Sequence, residues 1–419
     1  MDRIRINDTR AWLATAMLAL VVSIRMGWSD DAPASRAPDG LIGYTELRTN
    51  LPGGRHANTS TSRAFVVHLD GTGRRELAPH LADAPDTWTQ FTGWSPDGAT
   101  AIVGSGWQDP ENATWEEENK TFRMEPGRWR YDSWLMDLAS GKSTNVTAVD
   151  RVSHYNGVSF SADGKKLLMT SLVGGTSKPY LMELDGSNKT DVSGGTDGFT
   201  YGFNASPDGK RICYHENYQV YLANADGTGK KHIDTTHSFN FAPVWSPDGN
   251  RLLFVSGEHY DCHPHVVRAD GTGLKKIADR AGYRGVTEFL DVADFHGGSS
   301  DTPVWSTDGQ TIFYTAKVAS GIELFRVTLD GDPNQLTSSA AGTSHYHPKP
   351  SPDGRWLLYG SKRESVRQVF VRNLGSGAER QITQLQKGHA AMWPHWRPQK
   401  SDSPARETSA IPRKQALQP

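Results

Sequence analysis

The chain has 419 residues, with Lys+Arg 45 against Asp+Glu 47 and a formal net charge of −2. That balance excludes a nucleic-acid binder or a membrane-surface protein working through bulk positive charge. Hydrophobic residues at 36% and charged residues at 22% suffice for a packed core, so composition also excludes a disordered chain. Gly 42, Pro 23 and Trp 13 are the skew, and the glycine content favours many tight turns. Cys213 and Cys262 allow one disulfide at most. With no Cys-x-x-Cys pair they supply neither a disulfide scaffold nor a thiolate zinc site.

Residues 1–37 read as a signal peptide and linker. Arg3, Arg5 and Arg10 precede the apolar run Ala11 to Ile24, and small residues follow through Ala32-Pro33-Ala34. A basic start, a short apolar stretch and small residues beyond it are the pattern of an export signal. The run is shorter than the roughly 20 residues a membrane span needs. The expectation is therefore a periplasmic or secreted chain with no stable span once mature. An uncleaved anchor is the alternative, because Arg25 ends the run. At the other end, 399–419 is rich in Lys, Arg, Ser, Pro and Gln without periodic apolar residues, and reads as a disordered tail.

The body, 41–398, is repetitive. Six segments share an aromatic or small residue, then Ser-x-Asp-Gly, then a β-branched or apolar run. Their glycines are Gly98, Gly164, Gly209, Gly249, Gly309 and Gly354. The spacing, with insertions, is that of a four-stranded propeller blade, about 40–45 residues. A second turn follows some way on, as in Ala225-Asp226-Gly227-Thr228-Gly229 and Ala269-Asp270-Gly271-Thr272-Gly273. Asp-Gly provides the positive φ that tight hairpins require. Each unit is thus strand A, turn, strand B, loop, strand C, turn, strand D.

The ends complete the pattern. Ile42 to Leu47 and Ala64 to Leu69 resemble strands B and C with no strand A before them, whereas 391–396 resembles a strand A with nothing after it. Pairing the two would complete one blade and remove the open sheet edge. The expected fold is all-β: a seven-bladed β-propeller of four-stranded antiparallel blades, closed by its N- and C-terminal strands.

The aromatic-Ser-Pro-Asp-Gly turn and the Asp-Gly-Thr-Gly turn after strand C resemble the propeller repeats of the TolB family across roughly 41–398. The resemblance implies a WD-type propeller fold and a periplasmic binding role. TolB itself carries an α/β domain ahead of its propeller, and here the repeats begin almost directly after the signal.

In such a blade the Asp-Gly turns lie on one face and the B–C and D–A loops on the other. The second face takes the long insertions and ten of the 15 histidines. In Ser344-His345-Tyr346-His347-Pro348, two histidines at i and i+2 of an extended segment point the same way, and neutral imidazoles suit a divalent transition metal. This segment, just before a Ser-Pro-Asp-Gly turn, resembles oligogalacturonate lyases, seven-bladed propellers that hold a metal through a His-x-His pair. The resemblance implies that His345 and His347 are ligands of one metal, Mn or Zn, with His296 as a third from a shifted position. The family's glutamine falls on Gly342, and its other ligand and its base fall on Thr302 and Ala242. His154, His215 and His237 are then the mouth histidines that could act as base. The structural alternative is that these histidines cap loops by hydrogen bonding. Cys262-His263-Pro264-His265 is a weaker ligand cluster, lacking a matching second half.

The insertion 106–132 carries Trp107, Trp115 and Trp129 with Arg123, Arg128 and Arg130. Aromatic faces stack on sugar rings, and arginine holds carboxylates bidentately. Trp107, Trp115, Trp129, Arg128 and Arg130 are the candidate ligand-binding set, and a loop folded over its own tryptophans is the alternative. The chain lacks a Gly-x-Ser-x-Gly elbow, which argues against a serine hydrolase. The sequence thus points to a monomeric binding module for an envelope protein or an acidic oligosaccharide. A metal-assisted uronate lyase and a structural scaffold are the alternatives.

Overall fold

The Ser-x-Asp-Gly turns show how the repeat folds locally. In the first, Ser95 Oγ donates to Asp97 Oδ1 at 2.6 Å and accepts the Thr100 N–H at 2.9 Å. Asp97 also accepts the Ala99 N–H, and Gly98 sits at φ +67. The same Ser–Asp bond recurs at Ser206–Asp208, Ser246–Asp248, Ser306–Asp308 and Ser351–Asp353. Asp-Gly-Thr turns close similarly, with Thr72, Thr228 and Thr272 each donating to the aspartate two residues earlier at 2.7 Å. Side chains that satisfy the turn backbone fix where each hairpin reverses.

A computed structural model describes residues 40–399, except 124, 126, 148–157, 174–175 and 196–197. Residues 1–39, where the signal peptide is expected, residues 400–419, and His154 lie outside the described residues. The described part is all-β, built of four-stranded antiparallel sheets. Four stand separately, and their first strands are Thr87–Trp94, Ser159–Phe160, Thr200–Ala205 and Phe239–Trp245. A twelve-stranded sheet runs from Val304–Trp305 through Thr343–Pro350 and His389–Trp396 to Leu41–Arg48 and Arg75–Glu76. Within it, two short parallel contacts join antiparallel groups: Gly321–Thr328 beside Thr343–Pro350, and Val366–Asn373 beside His389–Trp396. Leu41–Arg48 pairs antiparallel with His389–Trp396, bringing the two ends of the body together.

The repeated tryptophans pack between sheets. Trp94 shares a core with Ala64, Val66 and Val103, and Trp245 shares one with Cys213, Leu222 and Leu252. Trp305 sits with Leu253, Val266 and Tyr314. Cys213 and Cys262 are both buried and unbonded, so no disulfide joins them. No helix among the described residues is long and apolar enough to cross a membrane.

The first strands of several sets bulge at one recurring place. Register shifts fall between Tyr201 and Asn204, Phe241 and Val244, and Tyr346 and Lys349. Gly202, Ala242, His347 and Trp393 have φ of +67, +49, +52 and +48. A bulge turns the bulged residue out of the regular two-residue alternation, and this decides the site.

Candidate functional site

Three segments that interrupt the repeats surround a cavity of about 540 Å³. The first carries α1 (Gly54–Thr59) and the second α2 (Pro110–Asn119). The third runs from α3 (Val286–Leu290) to Thr302. Helix α2 replaces the expected irregular loop. Asp109 caps it, accepting the Asn112 N–H at 2.9 Å, with Pro110 in the first turn, a standard helix start.

Arg55 of α1 lies against two aromatic rings on the cavity wall, which meet edge to face 5.3 Å apart. Its guanidinium carbon is 4.7 Å from the centroids of both Phe122 and Phe295. Nη1 is buried without a hydrogen-bond partner among the described residues. A guanidinium on two rings keeps its in-plane N–H groups available for an oxyanion. Close by, Glu116 is buried on the same wall, and that burial raises its pKa against the opposing Arg123 N–H bond. His56 bridges Gln108 and Asp86 at 3.3 and 3.2 Å.

On another wall, His347 is held by Asp301. Asp301 Oδ1 accepts the His347 backbone N–H at 2.9 Å and lies 3.1 Å from Nδ1. Asp301 Oδ2 accepts from Tyr283 Oη and Thr315 Oγ1, both at 2.7 Å, and Arg280 lies 3.9 Å away. Burial alone would raise the Asp301 pKa, but the His347 bond and the neighbouring cations hold it far below the ordinary carboxylate value. Paired this way, Nδ1 carries the proton and Nε2 presents a lone pair. Nε2 is buried and has no protein partner among the described residues, in a side chain 7% exposed that lines the cavity. Lys349, Trp393 and His395 line the same wall, and Trp393 stacks on His347 at 5.7 Å. Burial, then the charges of Lys349 and His347, push His395 down to about 3.

The structure separates His345 from His347. The bulge beginning at Tyr346 and the left-handed backbone at His347 break the alternation that would have put both on one face. His345 is fully buried and points to Ser339 at 2.9 Å and Glu323 at 3.3 Å, whereas His347 turns to Asp301. His296 lines the cavity among Phe241, Tyr201 and Phe122, with ring centroids 4.6, 5.4 and 5.1 Å away. Burial, then the charge of Arg55, push it down to about 3. No group of three or more His, Cys, Asp or Glu among the described residues is placed to hold a metal. The side chains of His345, His347 and His296 therefore do not fit a shared metal, because two of them are already bonded to different carboxylates.

The candidate bases scatter. His215 is buried against Tyr218 and Phe241, accepts the Ala242 N–H through Nδ1 at 3.3 Å, and is pushed down to about 3 by burial. His237 bonds Ser256 Oγ at 2.8 Å and is not among the residues lining the cavity. Of the insertion's aromatics, Trp129 lines the cavity beside Trp88, ring centroids 5.5 Å apart. Trp107 and Trp115 lie under Arg130 and Arg123, at 4.9 and 4.6 Å, outside it. Arg128 is committed to Asp109, Glu111 and Glu125. Arg55, Asp301 and Lys349 carried no motif that sequence reasoning could use. The one available signal was position: Asp301 and Lys349 each lie a few residues ahead of a Ser-x-Asp-Gly turn.

No family model matches the chain. A TolB homolog of Chlorobium luteolum is 26% identical over 162 residues, 39% of this chain and 33% of that protein. Dipeptidyl-peptidase 5 of Porphyromonas gingivalis is 36% identical over 63 residues, 13% of this chain and 9% of that protein. The chain thus spans at most about a third of the length of these two curated relatives. Among solved structures, oligogalacturonate lyase in complex with manganese is similar at a TM-score of 0.52 and 14% identity, covering 83% of this chain and 87% of that one. At that identity the likeness speaks for the fold. The chain is a TolB-like β-propeller repeat protein with a weaker likeness to oligogalacturonate lyase.

Proposed function

We propose that the chain is an exported, monomeric, seven-bladed propeller that binds an acidic oligosaccharide in the cavity. Four separate sheets and three antiparallel groups within the twelve-stranded sheet support the blade number, and the Leu41–Arg48 pairing with His389–Trp396 supports closure of the ring. The basic, apolar and small-residue order of 1–37 supports a periplasmic or secreted location. The TolB likeness supports a binding role, with an envelope protein as a further partner on the outer surface.

The observation that carries the ligand class is Arg55. Its guanidinium lies against both Phe122 and Phe295 with a buried, unpartnered Nη1 at the wall of a cavity that also holds Trp129 and Trp393. A carboxylate on Arg55 with sugar rings against the indoles uses both features. Titration calorimetry with trigalacturonate beside neutral maltotriose tests it. The acidic trimer should bind at least about tenfold tighter, and Arg55→Ala should remove that preference. Equal binding of both trimers, or an Arg55→Ala variant that keeps the preference, would sink the reading. Metal-assisted lyase chemistry finds no support in the donor set described above.

A further inference from the structure

The buried lone pair of His347 is not needed to bind a carboxylate. It belongs to a side chain that lines the cavity, the ring is fixed by Asp301, and nothing among the described residues bonds to it. Asp301 accepts four hydrogen bonds, from His347 Nδ1, the His347 backbone N–H, Tyr283 and Thr315. The imidazole therefore has one orientation and one tautomer, with Nε2 as acceptor. The left-handed backbone at His347, φ +52, is the bulge this strand shares with those at Gly202, Ala242 and Trp393, and it turns the ring toward Asp301. A histidine paired to a buried carboxylate on the wall of an enclosed cavity is placed for proton transfer.

The choice of proton follows from magnitude. A neutral imidazole with an open lone pair is a base suited to the O–H of a water attacking a carbonyl. A C–H beside a carboxylate is a far weaker acid, and no donor set here would hold a metal to acidify it. Lys349 follows two residues later, past the bulge, on the same wall. Its amine makes no hydrogen bond or ion pair among the described residues, so an N–H is available for an oxyanion.

We infer that Asp301 and His347 form a metal-independent general-base pair that hydrolyses a carboxylic ester carried by a saccharide in this cavity. The inference rests on the saccharide-binding reading for its substrate class. His347 Nε2 takes a proton from water as the water oxygen bonds to the ester carbonyl carbon. The carbonyl π pair moves onto oxygen, where the Lys349 N–H holds it. Collapse re-forms the carbonyl and breaks the ester C–O bond, and the proton on Nε2 passes to the departing alkoxide. Ester and water give acid and alcohol, with no oxidant or reductant. His347 is the catalytic residue, and Asp301 is a positioning residue.

The test follows acid release from methyl-esterified trigalacturonate and from acetylated xylotriose in a pH-stat with EDTA present, with unsaturated-sugar absorbance recorded alongside. The wild type should release acid from at least one ester, without absorbance and without loss in EDTA. His347→Gln, which keeps an amide donor for Asp301, should lower kcat by about 100-fold or more with binding retained. Asp301→Asn should lower kcat at least about tenfold with KM little changed. It should also alter the His347 ring nitrogens in a long-range ¹H–¹⁵N spectrum, which a purely structural role would not require. Binding of trigalacturonate with no acid released from either ester overturns the hydrolase, while the binding reading stands. Loss of activity in EDTA, product absorbance at the unsaturated-sugar wavelength, or full activity in His347→Gln overturns it as well. Failure to bind any acidic saccharide, with acid still released, overturns the binding reading alone.

Discussion

Asp301 and His347, 46 positions apart in the chain, share two hydrogen bonds at 2.9 and 3.1 Å, and the aspartate is 1% exposed. The same carboxylate is the only acidic ion-pair partner of Arg280 among the described residues, at 3.9 Å, and that arginine is itself 1% exposed. Removing it leaves a buried cation and four donors uncompensated. Asp301→Ala should therefore cost about 3–5 kcal/mol of stability, read from urea unfolding. A loss below about 1 kcal/mol would mean that the network is loosely held.

Buried neutral histidines should make the protein acid-sensitive well above the carboxylate range. His215 and His296 are each pushed down to about 3 by burial, His296 also by Arg55. An unfolded chain protonates them near pH 6.5 while the folded chain does not, so their stability is complete above that pH and is lost as pH falls toward 3. At pH 5 the loss is about 2 kcal/mol for each. Glu323 adds nothing in that window. Burial would raise its pKa, but the bonds from His345, Thr337 and the Ser339 N–H together outweigh this and hold it at about 2, so its contribution fades only as pH falls below the ordinary carboxylate value. Unfolding between pH 7.5 and 5 should show the loss, to which His395 and His265, pushed down by burial to about 3 and about 4, also contribute, and His215→Phe should remove about 2 kcal/mol of it. An unchanged slope in that variant would assign the effect elsewhere.

His345 should behave as a structural residue. It is fully buried and bonds Glu323, which is itself fully buried. His345→Ala should destabilise by about 3–5 kcal/mol through the stranded carboxylate. The metal content of purified protein should stay the same, well below one equivalent, in wild type and variant. One bound metal lost with His345 would restore the His-x-His reading.

The tryptophans of the insertion should separate by position. Trp129 lines the cavity, whereas Trp107 and Trp115 are covered by arginines outside it. Trp129→Phe should abolish most of the fluorescence change on adding trigalacturonate and weaken binding by about tenfold, since a stacked base or ring is worth roughly 1–3 kcal/mol. Trp107→Phe, Trp115→Phe and Arg128→Ala should keep wild-type affinity. Equal effects at all four positions would place the ligand on the insertion's outer surface.

A close approach at the same wall gives a further check. Gly106 allows the Trp88 ring to cross its strand, and a Cβ there would fall 2.1 Å from a ring atom. Gly106→Ala should displace Trp88, which packs on Trp129 and faces His56. It should lower both melting temperature and trigalacturonate affinity. An affinity loss without a stability loss would mean that the ring has room to move.

Local chemistry made the repeats readable. Ser-x-Asp-Gly and Asp-Gly-Thr turns close their own hydrogen bonds within five residues, so the residues that define them are also their neighbours in space. The strand runs between them, and the match between the two ends, were legible for the same reason. That the long interruptions gather histidines and aromatics on one side was also visible in their spacing. The alternation rule failed at His345 and His347 because a bulge lies between them, and nothing in the residues of that strand announces it. Arg55, Asp301 and Lys349 belong to three separate segments with no motif among them. Only tertiary structure brought Arg55 and Lys349 to one cavity and set Asp301 behind its His347, through contacts tens to hundreds of positions apart. Short-range hydrogen bonding is written in the sequence, whereas the partner of a buried charge is decided by which distant segments pack against it.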